Sequence, residues 1–365
     1  MDQNDLERLL GRLVEIGGSD LHLKAGSPPR VRLNGELRRV GGEPSIEAED
    51  MEDLARAIMR ERLWAKFDAH FEADFAHSVS DIGRFRVNAF RQRGTISLVF
   101  RHVRPGTQSL ADLGLPEAVR RLAEEPRGIV LVTGPTGCGK TTTLAAMIDH
   151  INNTRECHVV TIEDPIEVMH QDRLAAISQR EVGFDTDSFL VALRAALRED
   201  PDVILVGEMR DTETVATALS AAETGHLVFS TLHTIDAVET INRIIDFFPS
   251  GQQPQARASL AGALKGTICQ RLVPTKDGLG RVPVLEIMVV NGRIQQAIVD
   301  PQRDIDINQI IREGDYYGMQ SFDQGLVKLL EADLIDLRAA TQAASNPHDL
   351  RVALAQRGLV GVAAD

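Results

Sequence analysis

Apolar positions along this chain follow two rhythms, and the change falls near residue 113. Before it, helical and alternating patterns are mixed. Leu6, Leu9, Leu10, Leu13 and Val14 recur three and four apart, which predicts an amphipathic helix over about residues 3–16. Leu21 to Leu23 alternate as a short strand. Arg30 to Val40 reads as a hairpin, with Asn34-Gly35 as its two-residue turn. Met51, Leu54, Ala55, Ile58 and Met59 mark a second helix. Phe85 to Ala89 and Ile96 to Val103 alternate as strands. This mixture predicts a small α+β domain ending near Arg104. Pro105-Gly106 breaks the chain there, so a linker is expected over about residues 105–112.

Beyond residue 113, short apolar runs at 128–133, 158–162, 203–207 and 227–231 alternate with helical stretches. That is the pattern of an α/β domain with a parallel sheet and crossover helices. After about residue 300 the chain reads as helical, with Phe322, Leu326, Leu329 and Leu330 on one face. No internal repeat or low-complexity segment interrupts this plan.

The apolar run at 128–132 leads into Gly134-Pro135-Thr136-Gly137-Cys138-Gly139-Lys140-Thr141, and a helix is expected from Thr142 to Asn152. The run fits the phosphate-loop pattern G-x-x-x-x-G-K-[ST], in the strand-to-helix context that gives the pattern meaning. Glycines allow close backbone approach to an anion. Successive N–H groups and a helix N-terminus then face the phosphates. Lys140 would reach the β- and γ-phosphates of ATP, and the Thr141 hydroxyl would bind Mg²⁺. Ligands of open parallel sheets bind beyond the carboxyl ends of the strands, so the polar residues there are candidates. They are Glu163-Asp164-Pro165-Ile166-Glu167, Gly207-Glu208-Met209-Arg210-Asp211 and Thr231-Leu232-His233-Thr234. An acidic residue so placed holds Mg²⁺ or orients water, or else simply caps a helix. His226 and His233 flank one apolar run; an imidazole there senses a γ-phosphate or merely ends the sheet.

Bulk properties narrow the classes. A net charge of −13 argues against a general grip on nucleic acid, which needs clustered cations. No run approaches the roughly 20 apolar residues of a membrane span. Met1-Asp2-Gln3-Asn4-Asp5 carries no signal-peptide pattern. Cys138, Cys157 and Cys269 lie too far apart for a C-x-x-C metal site, and no disulfide framework is expected. A cytoplasmic protein is expected.

Four blocks in order resemble the secretion ATPases of type II secretion and type IV pili. They are Gly134 to Thr141 (Walker A), Val159 to Glu167 (Asp box), Glu199 to Asp211 (Walker B) and Thr224 to Thr234 (His box). Gly18 to Leu23 with Gly26 to Arg30 resembles the start of the family's PAS-like N-terminal domain. The short N-terminal domain, the lack of a four-cysteine motif, and the runs Ile310 to Gly314 and Gly318 to Gln324 are most similar to the PilT/PilU pilus-retraction branch.

The resemblance implies a RecA-like ATPase domain behind the small domain, and a homohexameric motor driving pilus retraction. The alternative is a pilus-assembly or type II secretion ATPase of the same family. It implies Glu163 as general base, Glu208 with Thr141 on Mg²⁺, His233 on the γ-phosphate and His226 ordering the site. The loop from Gly134 to Thr141, with Thr142, would cradle the nucleotide. Arginines of the small domain would supply a cation in trans, with Arg86, Arg91 and Arg101 ahead of Arg271. Implied partners are an inner-membrane platform protein and another retraction or assembly ATPase; the net charge leaves no nucleic-acid partner expected. The implied location is the inner face of the cytoplasmic membrane, with the linker as hinge. Cys138 stands where the family commonly has serine, Thr141 replaces the usual serine, and Ile235 replaces a polar residue.

Overall fold

The computed structural model describes residues 1–33, 35–103 and 106–358. Asn34 of the expected turn, and Arg104 and Pro105 at the expected boundary, lie outside the described residues. The chain divides into two compact units. The first holds Met1–Gly106 together with Pro165–Met169; the second holds the rest.

The first unit contains α1 (Gln3–Glu15), β1 (Asp20–Lys24), β2 (Arg30–Leu33), β3 (Glu36–Arg39), α2 (Ala48–Ile58), α3 (Glu61–His70), β4 (Glu72–Val79), β5 (Gly83–Gln92) and β6 (Thr95–Val103). Its six strands form one antiparallel sheet in the order β3-β2-β1-β6-β5-β4. One sheet face is closed by the apolar stripes of α1 and α2, which bury Leu6, Leu9, Leu10 and Leu13, and Met51, Leu54 and Ala55. Phe85, Val87 and Ala89 of β5 face the same core. The start of α1 is fixed by a capping box between Asp2 and Asp5. Helix α3 and strand β4 were not expected. Only Phe67 of α3 is fully buried, with Leu63 and Trp64 packed partly beside it, so the helix carries a short, weak apolar stripe.

The second unit follows with α4 (Glu117–Ala123), β7 (Gly128–Thr133), α5 (Lys140–Thr154), β8 (His158–Glu163), β9 (Ala176–Glu181), α6 (Phe189–Ala196), β10 (Val203–Val206), α7 (Thr212–Glu223), β11 (Leu227–Leu232), α8 (Ala237–Asp246), α9 (Gln253–Ala263), β12 (Leu264–Pro274) and β13 (Arg281–Val289). Five helices close it: α10 (Gly292–Val299), α11 (Ile307–Glu313), α12 (Phe322–Glu331), α13 (Leu337–Ala343) and α14 (Pro347–Gln356). The sheet order is β13-β12-β7-β11-β10-β8-β9; all neighbours are parallel except the β12–β13 pair. Successive residues of β7 alternate between two cores. Ile129 and Leu131 face the layer of α6 to α9, and Val130 and Val132 face the layer of α4 and α5. Both faces are therefore covered, which is why the central strands read as unbroken apolar runs.

The α/β reading holds, and the four expected strands are β7, β8, β10 and β11. The sequence reading lacked β9, β12 and β13. Strand β9 is a half-exposed edge with no apolar run, and β13 carries Pro283, tolerated because this strand too is an edge.

Each unit has its own core, so damage to one should be visible apart from the other. Phe85 is fully buried in the first core. Phe85→Ala should cost that unit about 3–5 kcal/mol. Calorimetry should show a lowered transition for the first unit, with the second unit's transition in place.

Candidate functional site

The carboxyl ends of β7, β11, β10 and β8 lie side by side, and each turns into a candidate residue. The phosphate loop leaves β7, His233 follows β11, Glu208 follows β10 and Glu163 ends β8. Parallel pairing in register puts all four at one edge of the sheet.

The loop is built for an anion. Gly134, Gly137 and Gly139 have φ of 140°, 77° and 91°, a region that side chains rarely enter. A Cβ on Gly134 would clash with Gln270 O, so the first glycine is also fixed by close approach to β12. No side chain caps α5, whereas α6, α7 and α8 are capped by Ser188, Asp211 and Asp236. The first-turn N–H groups of α5 are left for a ligand. Lys140 folds over the loop, its Nζ donating to Gly134 O at 2.7 Å and Pro135 O at 3.1 Å. Phosphate oxygens are natural replacements for those carbonyls. Pro135, Thr136 and Cys138 complete the loop, with Cys138 buried and its thiol pushed up, chiefly by burial. Thr141 and Thr142 stand in the first turn of α5.

Glu208 is only 23% exposed and has two partners. Arg210 Nε donates to its Oε2 at 2.8 Å, and His233 Nε2 lies 3.4 Å from its Oε1. The Arg210 guanidinium pKa is raised, mainly by that hydrogen bond to Glu208. In the same block Asp211 is the helix cap, accepting from Thr214 N at 2.8 Å. The capping role thus falls to Asp211 and leaves Glu208 for chemistry. Glu163 accepts from Thr161 Oγ1 at 2.7 Å and Gln179 Nε2 at 3.2 Å, which orient its carboxylate. A hydroxyl at Thr141 and a carboxylate at Glu208 fit Mg²⁺, which takes hard oxygens and usually only one or two protein ligands beside phosphates and water.

His226 is a correction. It precedes β11, pairs through its carbonyl with Gly128 N at 3.0 Å, and its Nδ1 lies 2.9 Å from Ala221 O. It therefore stands at the opposite end of the strand from His233, about 20 Å away at 3.3 Å per residue. It cannot touch a nucleotide held by the loop of its own chain.

The arginines separate as well. Arg86 and Arg101 are directly paired neighbours on β5 and β6 and share a sheet face. Arg86 Nη1 donates to Glu167 at 3.3 Å, and Arg101 Nε to the buried Asp20 at 2.8 Å. Burial opposes ionisation of Asp20, but hydrogen bonds from Ser19 and Arg101 outweigh it and hold its carboxyl below the usual range. Arg91 points to the other face, 5.5 Å over the Phe67 ring and 3.5 Å from Asp68. Arg271 is spent on packing: it lies 3.9 Å over Phe322 and donates to Ala343 O at 2.7 Å.

Three supporting residues escaped the sequence reading. Gln270 of β12 bonds the phosphate loop, Gln179 of β9 bonds Glu163, and Glu286 of β13 accepts from Ala237 N at 2.9 Å. All three lie on strands that the reading lacked. Glu286 is 6% exposed and anchors the start of α8, just past His233.

The type II/IV secretion system protein family matches residues 68–334. The type IV pilus retraction ATPase PilT of Pseudomonas aeruginosa is 44% identical over 345 residues, covering 94% of this chain and 99% of that protein. The type IV pilus ATPase PilU of the same species is 40% identical over 348 residues, covering 95% of this chain and 91% of its own length. A crystal structure of the pilus retraction motor PilT with bound ADP superposes with a TM-score of 0.85 at 44% identity, covering 96% of this chain and 99% of that one.

Glu286 generates a pH prediction. Burial pushes its carboxyl from 4.5 up to about 7, against the pull of the Ala237 N–H, with Asp236 adding to the rise. The folded state then holds a proton that the unfolded state loses first. Its stability contribution is present below about pH 4.5 and is lost as pH rises to about 7. Glu286→Gln keeps the acceptor and removes the titration. Urea unfolding at pH 5 and pH 8 should show wild type losing up to about 3 kcal/mol relative to the variant. Parallel profiles would refute the assignment.

Proposed function

This chain belongs to the type II/IV secretion system protein family and is an ATPase, and we propose that the work it drives is retraction of a type IV pilus. The observation that carries the reading is the row of phosphate loop, His233, Glu208 and Glu163 along one sheet edge. Likeness to the retraction motor over nearly the whole chain supports the choice of work.

Hydrolysis of ATP needs positioning and charge neutralisation more than covalent chemistry. Gly134 to Thr142 cradle the phosphates, and Lys140 exchanges its loop carbonyls for β- and γ-oxygens. Thr141 and Glu208 would hold Mg²⁺, which would supply positive charge to neutralise the phosphates. Glu163 orients the attacking water and takes its proton. His233, 3.4 Å from Glu208, would read the γ-phosphate. His226 has no part in this set.

A cation for the transition state comes from another copy: Arg86 and Arg101, side by side on one face, are the candidates ahead of Arg91 and Arg271. Such contacts are head-to-tail and close into a ring, and the ring we propose is a homohexamer. It works at the cytoplasmic face of the inner membrane on a platform protein, alongside another retraction or assembly ATPase. None of the described helices is long and apolar enough to cross a membrane. The net charge of −13 argues against nucleic acid as the track.

Glu163→Gln tests chemistry and direction together. Purified variant should lose about two to four orders of magnitude in ATP turnover, while ADP binding and a ring-sized particle on gel filtration persist. In the native host the variant should leave pili extended but unable to retract. Absence of pili would instead indicate an assembly motor, and unchanged turnover would remove Glu163 as the base.

A further inference from the structure

One buried residue touches both the phosphate loop and the first turn of the helix behind it. Gln270 lies on β12, is 2% exposed, and projects beneath the loop. Its Nε2 donates to Cys138 O at 2.6 Å, and its Oε1 accepts from Thr143 Oγ1 at 2.7 Å. The carboxamide orientation is dictated, because a carbonyl cannot donate: the NH₂ must face Cys138 and the oxygen must face Thr143. Gly139 packs on the same amide; a Cβ there would come within 2.8 Å of Nε2. The backbone oxygen of Gln270 sets the limit at Gly134. One residue therefore seats both ends of the loop and the first turn of α5.

We propose that Gln270 is the positioning residue of the phosphate loop, holding it in the phosphate-accepting shape before nucleotide arrives. The proposal rests on the reading of this loop as the ATP site. The physical reason is the Cys138 carbonyl. It is turned away from the ligand side by its bond to Gln270, so it does not oppose the phosphates with its own lone pairs. Without that bond the buried carbonyl lacks a partner and the loop must turn to find one.

The test uses full-length Gln270→Met, which keeps length and burial and removes both hydrogen bonds without adding charge. The affinity for ADP and the KM for ATP should weaken roughly tenfold to a hundredfold, the scale of one or two hydrogen bonds, with kcat within about threefold. A merely destabilised protein shows the reverse split, a lowered kcat at unchanged KM. Alkylation of Cys138 by a maleimide should also accelerate in the variant and return to the wild-type rate with saturating ADP.

Gln270→Glu provides the second arm should the methionine variant not fold. A protonated carboxyl can donate to Cys138 O and an ionised one cannot, so KM should climb steeply with pH in this variant and not in wild type. The inference is overturned if KM, ADP affinity and Cys138 reactivity stay within twofold of wild type, or if the glutamate variant follows the wild-type pH profile. Failure of wild type itself to bind ADP would instead sink the nucleotide reading of the loop.

Discussion

A helix N-terminus that no side chain caps, set at the end of a strand buried on both faces, is the constraint around which this ATPase is arranged. Strand β7 is buried at every residue, so the chain leaving it has little freedom to meet water. Helix α5 begins seven residues later with its first N–H groups uncapped. Only a backbone with positive φ turns that sharply and brings the amides to one side. An anion completes what the fold leaves open, and the binding energy of phosphate is in part the energy of finishing a helix.

The parallel sheet turns that single feature into a site. Strands running in one direction deliver their ends to one edge, so Glu163, Glu208 and His233, roughly 20 to 100 positions beyond the loop in sequence, arrive beside it without any local signal linking them. The same geometry excludes. His226 and His233 belong to one sequence block and look equivalent on paper, yet a strand separates them. One reaches the chemical edge and the other closes the far edge by pairing with the start of β7. Within the Walker B block, helix capping falls to Asp211, while Glu208 faces Arg210 and His233 at the carboxyl edge of the sheet. Two acids three residues apart divide roles that composition cannot divide.

Sequence patterning reached the central strands because burial on both faces leaves continuous apolar runs, and it reached the amphipathic helices because they keep a stripe. It failed where those signals fade. Strand β9 is a polar edge, β13 contains a proline, and α3 buries only Phe67 completely. Those misses had a functional cost. Gln179, Gln270 and Glu286 hold Glu163, the phosphate loop and the start of α8, and each sits on an unread strand. Residues that touch a ligand follow short motifs because their spacing is local. Residues that hold them in place are selected by the tertiary fold, and their spacing is arbitrary: Gln270 is 132 positions from Cys138.

Strand β12 shows how far that non-local layer extends. Neighbouring residues of a strand face opposite sides, and here Gln270 turns to the phosphate loop while Arg271 turns to the C-terminal helices. The Arg271 guanidinium lies against the Phe322 ring of α12 and bonds the last residue of α13 at Ala343 O. Charge over an aromatic face plus a hydrogen bond to a carbonyl is a firm anchor when partly removed from water. The strand between them is pinned by β7 on one side and β13 on the other, so it has little room to bend. The phosphate loop and the helices α12 and α13 are thus tied to adjacent residues of one strand, one side chain on each face.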